Sequence, residues 1–271
     1  MRLSMTAWSF PACTLAEAAA ISTALGIKAL DVGLFYRSAL DKAEILADPA
    51  AAAAKIKALE IAVPNYYHLF GDGLAGRNLA LPGAIDGNAR DLDAVLSFAD
   101  AAGIGSVFVL PGIVNPGQSR HDAARQSCES LRALMQVARG HRAKLCVEPH
   151  VHSWAESPDL ARRLADDTGV GLALDYAHFA CLGYRQEDID VLAPYATHVH
   201  LRQTRIGQLQ SKFGQGILNF PAMFATLRDA GFAGWMAIEF VHQDYMNTLT
   251  EDVLTETIAM RDCFRQWQIG G

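Results

Sequence analysis

Short apolar runs recur eight times along this chain, each separated from the next by a longer stretch that carries apolar residues at helical spacing. A continuous apolar run of that kind suits a strand buried on both faces. Strict strand and helix alternation produces a parallel sheet with its helices packed outside. The runs fall at 3–6, 28–32, 61–64, 106–110, 144–147, 171–174, 197–201 and 235–238. The helical stretches include 14–25, 50–59, 86–102 and 123–138, and Gly26, Gly103, Gly140 and Gly231 stand where helix C-caps are expected. Eight such units predict an α/β fold, a single (β/α)8 TIM barrel. At 271 residues and 51% hydrophobic the chain can fill one barrel core. No linker or low-complexity tract interrupts it, so residues 1–271 are expected to form one domain.

Composition excludes several function classes. The formal net charge is −6 and no Lys/Arg cluster occurs, which argues against a phosphate-backbone partner. The five cysteines show no C-x-x-C spacing, and Cys146 lies inside an apolar run, where a reduced thiol packs as a small hydrophobe. A reducing, cytoplasmic setting is expected. There is no charged leader with an apolar core and no apolar stretch long enough to span a bilayer, so neither secretion nor membrane insertion is expected. No G-x-G-x-x-G or P-loop pattern points to a nucleotide cofactor.

Four of the last runs end in a metal-capable side chain: Glu148, Asp175 (with His178 three residues on), His200 (with His198 two before it) and Glu239. The C-terminal ends of barrel strands are where such folds carry their chemistry. Two Glu, one Asp and an imidazole form a hard, oxygen-rich set suited to one divalent Mn, Mg, Co or Zn ion with positions left open. His198, one layer deeper in the same strand, reads as a packed core histidine. Arg202 shares the parity of His200 and can fork onto a substrate carboxylate or phosphate, or pair with Glu239 or Asp175. Trp8, Asp31, Asn65, Tyr66 and His68 fall at or near other strand ends and are candidate pocket walls. Trp8 and Tyr66 suit stacking on a sugar face or capping the core. His150 and His152 lie on the loop after the fifth strand, poised for substrate or for solvent. The Gly- and Gln-rich segment 207–218 reads as a flexible wall, and the loop bearing Pro111, Gly112, Pro116 and Gly117 as a second one.

The order and context of these residues resemble the xylose isomerase-like sugar isomerase and epimerase superfamily over nearly the whole chain. The resemblance implies one divalent ion held by Glu148, Asp175, His200 and Glu239, with Glu148 and Glu239 doubling as acid/base groups. It also implies that His178 contacts a substrate oxygen, and that the protein associates as a dimer or tetramer. Trp8, His68, His150, His152, His178 and Arg202 form the expected substrate-binding set. Two positions depart from the family pattern. Asp31 stands where its epimerases often have Glu, and His150, His152 and Trp154 follow the fifth strand where many carry another Glu. The substrate wall therefore differs from that of a simple ketose 3-epimerase.

The expected activity is isomerisation or epimerisation of a small sugar or sugar derivative, by proton transfer between two glutamates through a metal-stabilised enediolate. A lyase on the same scaffold, of the inositol-ketone dehydratase or sugar keto-acid decarboxylase type, would use the same intermediate. An apurinic-site endonuclease is disfavoured: the fourth run ends Val109-Leu110-Pro111 without histidine, and no Asp-x-His follows the seventh. A sugar-binding barrel without catalysis is a further alternative.

Overall fold

A computed structural model describes residues 1–243, 245, 248 and 252–270. Eight strands run in parallel: β1 (Arg2–Thr6), β2 (Leu30–Asp31), β3 (Asn65–Tyr67), β4 (Ser106–Val109), β5 (Lys144–Val147), β6 (Gly171–Asp175), β7 (Ala196–Leu201) and β8 (Trp235–Ile238). Their ladder runs β2-β1-β8-β7-β6-β5-β4-β3. The ends of the ladder meet. Parallel bridges Ala29↔Ala62 and Val32↔Tyr66 join β2 to β3, with Tyr67 N–H donating to Val32 O at 2.9 Å. The result is a (β/α)8 barrel with helices between its strands.

The helices begin where short polar side chains accept orphan N–H groups. Thr14 and Glu17 form a capping box before Leu15–Ala24, Ser119 caps Arg120–Ala138, Ser157 caps Pro158–Thr168 and Asn219 caps Phe220–Asp229. Gly26, Gly103 and Gly231 take positive φ as expected of C-caps. Gly140 does not: the preceding helix closes on Arg139, and Gly140 N–H simply turns back onto Val137 O at 3.0 Å. The last helix, Val253–Gly270, packs against the helix Phe220–Asp229 and reaches the end of the first helix, with Arg261 donating to Leu25 O at 2.9 Å. Phe264 and Trp267 pack against Phe224 within the chain, at ring distances of 5.2 and 5.5 Å.

Strand three starts later than the apolar run 61–64 suggests. Pro64 has no N–H for a ladder, and its carbonyl is taken up by Gly105 N–H and Ser106 N–H at 3.1 Å each, so regular pairing begins at Asn65. The shift changes which tyrosine faces inward. Tyr66 turns outward against Phe98, while Tyr67 stacks on Phe108 inside the barrel at 4.4 Å.

The segment 207–218 is tied down by two buried glutamines. Gln203 accepts from Leu218 N–H at 2.9 Å and Thr204 N–H at 3.0 Å, and donates to Leu218 O at 3.0 Å. Gln210 exchanges two hydrogen bonds with the Val241 backbone, at 2.7 and 2.8 Å. The loop after β4 is held by Trp154, whose indole N–H donates to Pro111 O at 3.0 Å. Replacing Gln203 by Leu strands the buried Leu218 and Thr204 amides, which should cost roughly 1–3 kcal/mol. Urea unfolding reads that loss, and hydrogen exchange should quicken first at Leu218 and Thr204.

Candidate functional site

Parallel pairing carries the ends of β5 to β8 to one level. Glu148 N–H donates to Val109 O and Glu239 N–H to Leu201 O, both at 2.9 Å, so the ladder extends through each glutamate. A register shift between Leu172 and Ala173 in the β6–β7 pairing sets Asp175 directly beside His200. Side chains alternate across a strand, so these residues share the inward face. One ligand atom from each of Glu148, Asp175, His200 and Glu239 lies within 4.8 Å of the other three, and all four residues are buried. The sequence-predicted quartet is thus brought together in space.

The quartet is knitted by charge. His200 Nδ1 lies 2.5 Å from Glu148 Oε1 and 3.3 Å from Glu239 Oε2. Arg202 takes the internal pairing that the sequence offered as the alternative to a substrate contact, Nε donating to Asp175 Oδ2 at 2.7 Å and a terminal nitrogen to Glu239 Oε2 at 2.8 Å. Trp8 Nε1–H donates to the other oxygen of Glu239, Oε1, at 2.8 Å. Burial raises the Glu148 carboxyl against the pull of His200, and raises that of Asp175 against the pull of Arg202. Burial alone would lower His200, but the surrounding carboxylates of Glu239 and Glu148 override it and push the ring up to about 10.

This donor set fits a divalent metal ion. Three carboxylates and one imidazole converge on a common point, and with His200 neutral the three carboxylates and Arg202 leave two negative charges for a dication to balance.

A pocket of about 510 Å³ opens over the quartet. Its polar side is Glu148, Glu239, Arg202, His150, His178, Gln243 and Tyr245; its apolar side includes Trp8, Phe35, Tyr67, Phe108 and Leu209. His150 Nδ1–H donates to Val151 O at 2.6 Å, so the ring offers Nε2 as an acceptor, and desolvation lowers its pKa to about 4. His178 stands between two donors, with Val151 N–H 3.3 Å from Nδ1 and a terminal nitrogen of Arg202 3.4 Å from Nε2, and burial with the nearby Arg202 charge holds its pKa well below the usual imidazole value.

Other predicted residues lie elsewhere. His68 lines a separate crevice of about 10 Å³ beside His150, packed edge-on against Phe70, with burial depressing its pKa to about 3. His152 sits at the rim, 3.1 Å from the Tyr245 hydroxyl. Trp154 is core, and Asp31 is fully buried in the barrel interior against His198. The sequence reading missed Tyr67, Phe108, Phe35, Tyr36, Gln243 and Tyr245, while Leu209 lies in the segment 207–218 that it read as a wall. For Tyr67 and Phe108 strand alternation was an available signal; the others come from loops without periodicity.

The sequence pattern defining the xylose isomerase-like TIM barrel family matches residues 17–262. The chain belongs to that family. It is 25% identical over 177 residues to 2-oxo-tetronate isomerase of Pectobacterium atrosepticum, covering 59% of this chain and 64% of that one. It is also 25% identical over 166 residues to inosose isomerase of Bacillus licheniformis, covering 56% and 59%. The chain therefore spans under two thirds of each relative's length. The crystal structure of D-psicose 3-epimerase with D-tagatose, from Clostridium cellulolyticum H10, superposes with a TM-score of 0.74 over 98% of this chain and 99% of that one. At 14% identity that likeness is one of fold. No described helix is long and apolar enough to cross a membrane.

An ion at His200 Nδ1 must displace a proton. Because the ion-free ring is held up to about 10, divalent affinity should climb as pH rises from 7 toward 10 and then level. The linked stability has the reverse sense: the raised ring stabilises the ion-free fold fully below its ordinary 6.5, and that contribution is lost as pH rises through about 10. Calorimetric titration in buffers of differing ionisation enthalpy should report proton release on binding; pH-independent affinity would contradict this.

Proposed function

We propose that the protein is a metal-dependent isomerase or epimerase of a small sugar or sugar derivative. The observation that carries this reading is the convergence of Glu148, Asp175, His200 and Glu239 under one pocket at the strand ends. Membership of the family and the isomerase names of the two relatives support it.

A keto-sugar lying in the pocket sits between two carboxylates with different settings. Glu148 has one oxygen on His200 and is shifted toward holding a proton, a property that suits removal of a weakly acidic C–H. Glu239 is fixed through both oxygens by Trp8 and Arg202, which orients it as the partner that returns a proton. Glu148, Asp175, His200 and Glu239 would hold a divalent ion, which would supply Lewis acidity toward the oxygens of a bound substrate. The His178 ring lines the pocket where it can contact a substrate oxygen, and His150 Nε2 is placed to accept from a hydroxyl. Trp8, Tyr67 and Phe108 give the C–H face of a sugar an apolar wall and exclude water from the reacting carbons. The ion is expected to be Mn, Mg, Co or Zn.

Elemental analysis should find about one such ion per chain. In D2O, NMR should follow deuterium entering ketoses and keto-sugar acids, and Glu148→Gln or Glu239→Gln should slow exchange by about 10²–10⁴-fold. Full exchange in both variants would overturn the two-glutamate mechanism. Products short of water or carbon dioxide would instead assign the lyase chemistry.

A further inference from the structure

His200 belongs to two buried clusters. Its Nδ1 faces Glu148 and Glu239, while the ring also joins Asp31 and His198 in a group whose ligand atoms lie within 4.8 Å of one another. Asp31 ends β2 and His198 lies one inward step before His200 on β7. Both are essentially sealed from solvent, at 0% and 1% exposure. His198 Nε2 approaches Asp31 Oδ2 at 2.7 Å, yet ring and carboxyl are not aligned for a hydrogen bond. Both Asp31 oxygens, His198 Nε2 and His200 Nε2 therefore stand without hydrogen-bond partners in the barrel interior. A buried polar atom left so is costly unless another state of the site engages it.

The reading of the quartet as a metal site supplies that state. An ion can bind Nδ1 only when Nδ1 carries no proton, so the neutral ring must keep its proton on Nε2. That N–H needs an acceptor in an interior otherwise lined here by Phe108, which meets the His200 ring edge-on at 5.0 Å, and by Cys146 and Ala173. Asp31 is the carboxylate in reach, one of its oxygens lying within 4.8 Å of a His200 ring nitrogen and both of them without a hydrogen-bond partner. We propose that Asp31, braced by His198, is the positioning residue that accepts the Nε2–H of His200 and so fixes the tautomer and ring plane that present Nδ1 to the metal. Asp31 touches neither the pocket nor the quartet carboxylates. It acts through His200, in the manner of a carboxylate behind a metal-bound imidazole.

The proposal rests on the metal reading above, and the test separates the two. Purified protein is stripped of metal and titrated with Co²⁺ by calorimetry, in wild type, Asp31→Leu, Asp31→Asn and Glu239→Gln. Proton NMR of the Co²⁺ forms in H2O and D2O follows the exchangeable, strongly shifted N–H of a coordinated imidazole. Asp31→Leu should weaken Co²⁺ binding by about 10–100-fold, with unfolding of the ion-free protein no less cooperative than in wild type. Asp31→Asn, which keeps an acceptor oxygen but no charge, should weaken it less and still move the N–H resonance. Unchanged affinity and an unmoved resonance in both Asp31 variants, with binding lost in Glu239→Gln, would overturn the role of Asp31 and leave the metal reading standing. Two Co²⁺ per wild-type chain falling to one in Asp31→Leu would make Asp31 a ligand and overturn it too. No Co²⁺ binding by wild type would overturn both.

Discussion

Arg202 is the buried cation on which the arrangement of the strand ends depends. Three carboxylates share one small volume there, each almost fully removed from water, and buried like charges repel strongly in a medium of low polarisability. One guanidinium reaches Asp175 and Glu239 together, and the His200 ring holds Glu148 from the other side. With His200 protonated the cluster is one charge short of neutral; with the ring neutral it is two short. The same constellation can therefore stand preformed without an ion and reach balance with a dication, by exchanging a proton for it. A site built this way would need little rearrangement to take up a dication.

That cluster exists only because sheet pairing brings distant residues to one height. Glu148 and Glu239 are separated by three strands' worth of chain, yet each is the first residue past a ladder that pairs it with its neighbour. The register shift at Leu172 and Ala173 is the local device that sets Asp175 level with His200. Small residues flank the imidazoles: Ala173 pairs with His198 and Ala237 with His200. Two rings on successive inward positions of one strand fit the barrel interior because the strands on either side contribute a methyl group there.

Fold and site were legible in the sequence to different depths. β5 and β8 match their apolar runs in full, and β6 and β7 extend theirs by one residue, because a run buried on both faces leaves a continuous apolar signature. Strand three was displaced because Pro64 ends the apolar run while the ladder begins on the polar Asn65; Tyr66 takes the core reading the sequence offered it, and alternation puts Tyr67 on the inward face. Parity gave Arg202 its direction and the sequence offered Glu239 or Asp175 as partners; packing shows that it holds both at once. Tyr36, Leu209, Gln243 and Tyr245 reach the pocket from loops, where no periodicity exists to be read. The stiffness of segment 207–218 was hidden for a related reason: its anchor, Gln203, bonds residues up to fifteen positions away.

The barrel interior beneath the site is more polar than stability alone would select. Asp31, Asn65, Ser4 and His198 are buried there with unmatched polar atoms, where apolar side chains of similar volume would pack without penalty. The apolar residues that share this interior, Phe108, Cys146, Ala173 and Tyr67, leave His200 with an oily edge and a polar edge. An imidazole so placed has Nδ1 turned to the quartet, Nε2 left without a hydrogen-bond partner, and the Phe108 ring edge-on against it at 5.0 Å. Polar groups kept in the barrel floor at a cost in stability are the trade expected where a fold is loaded with function.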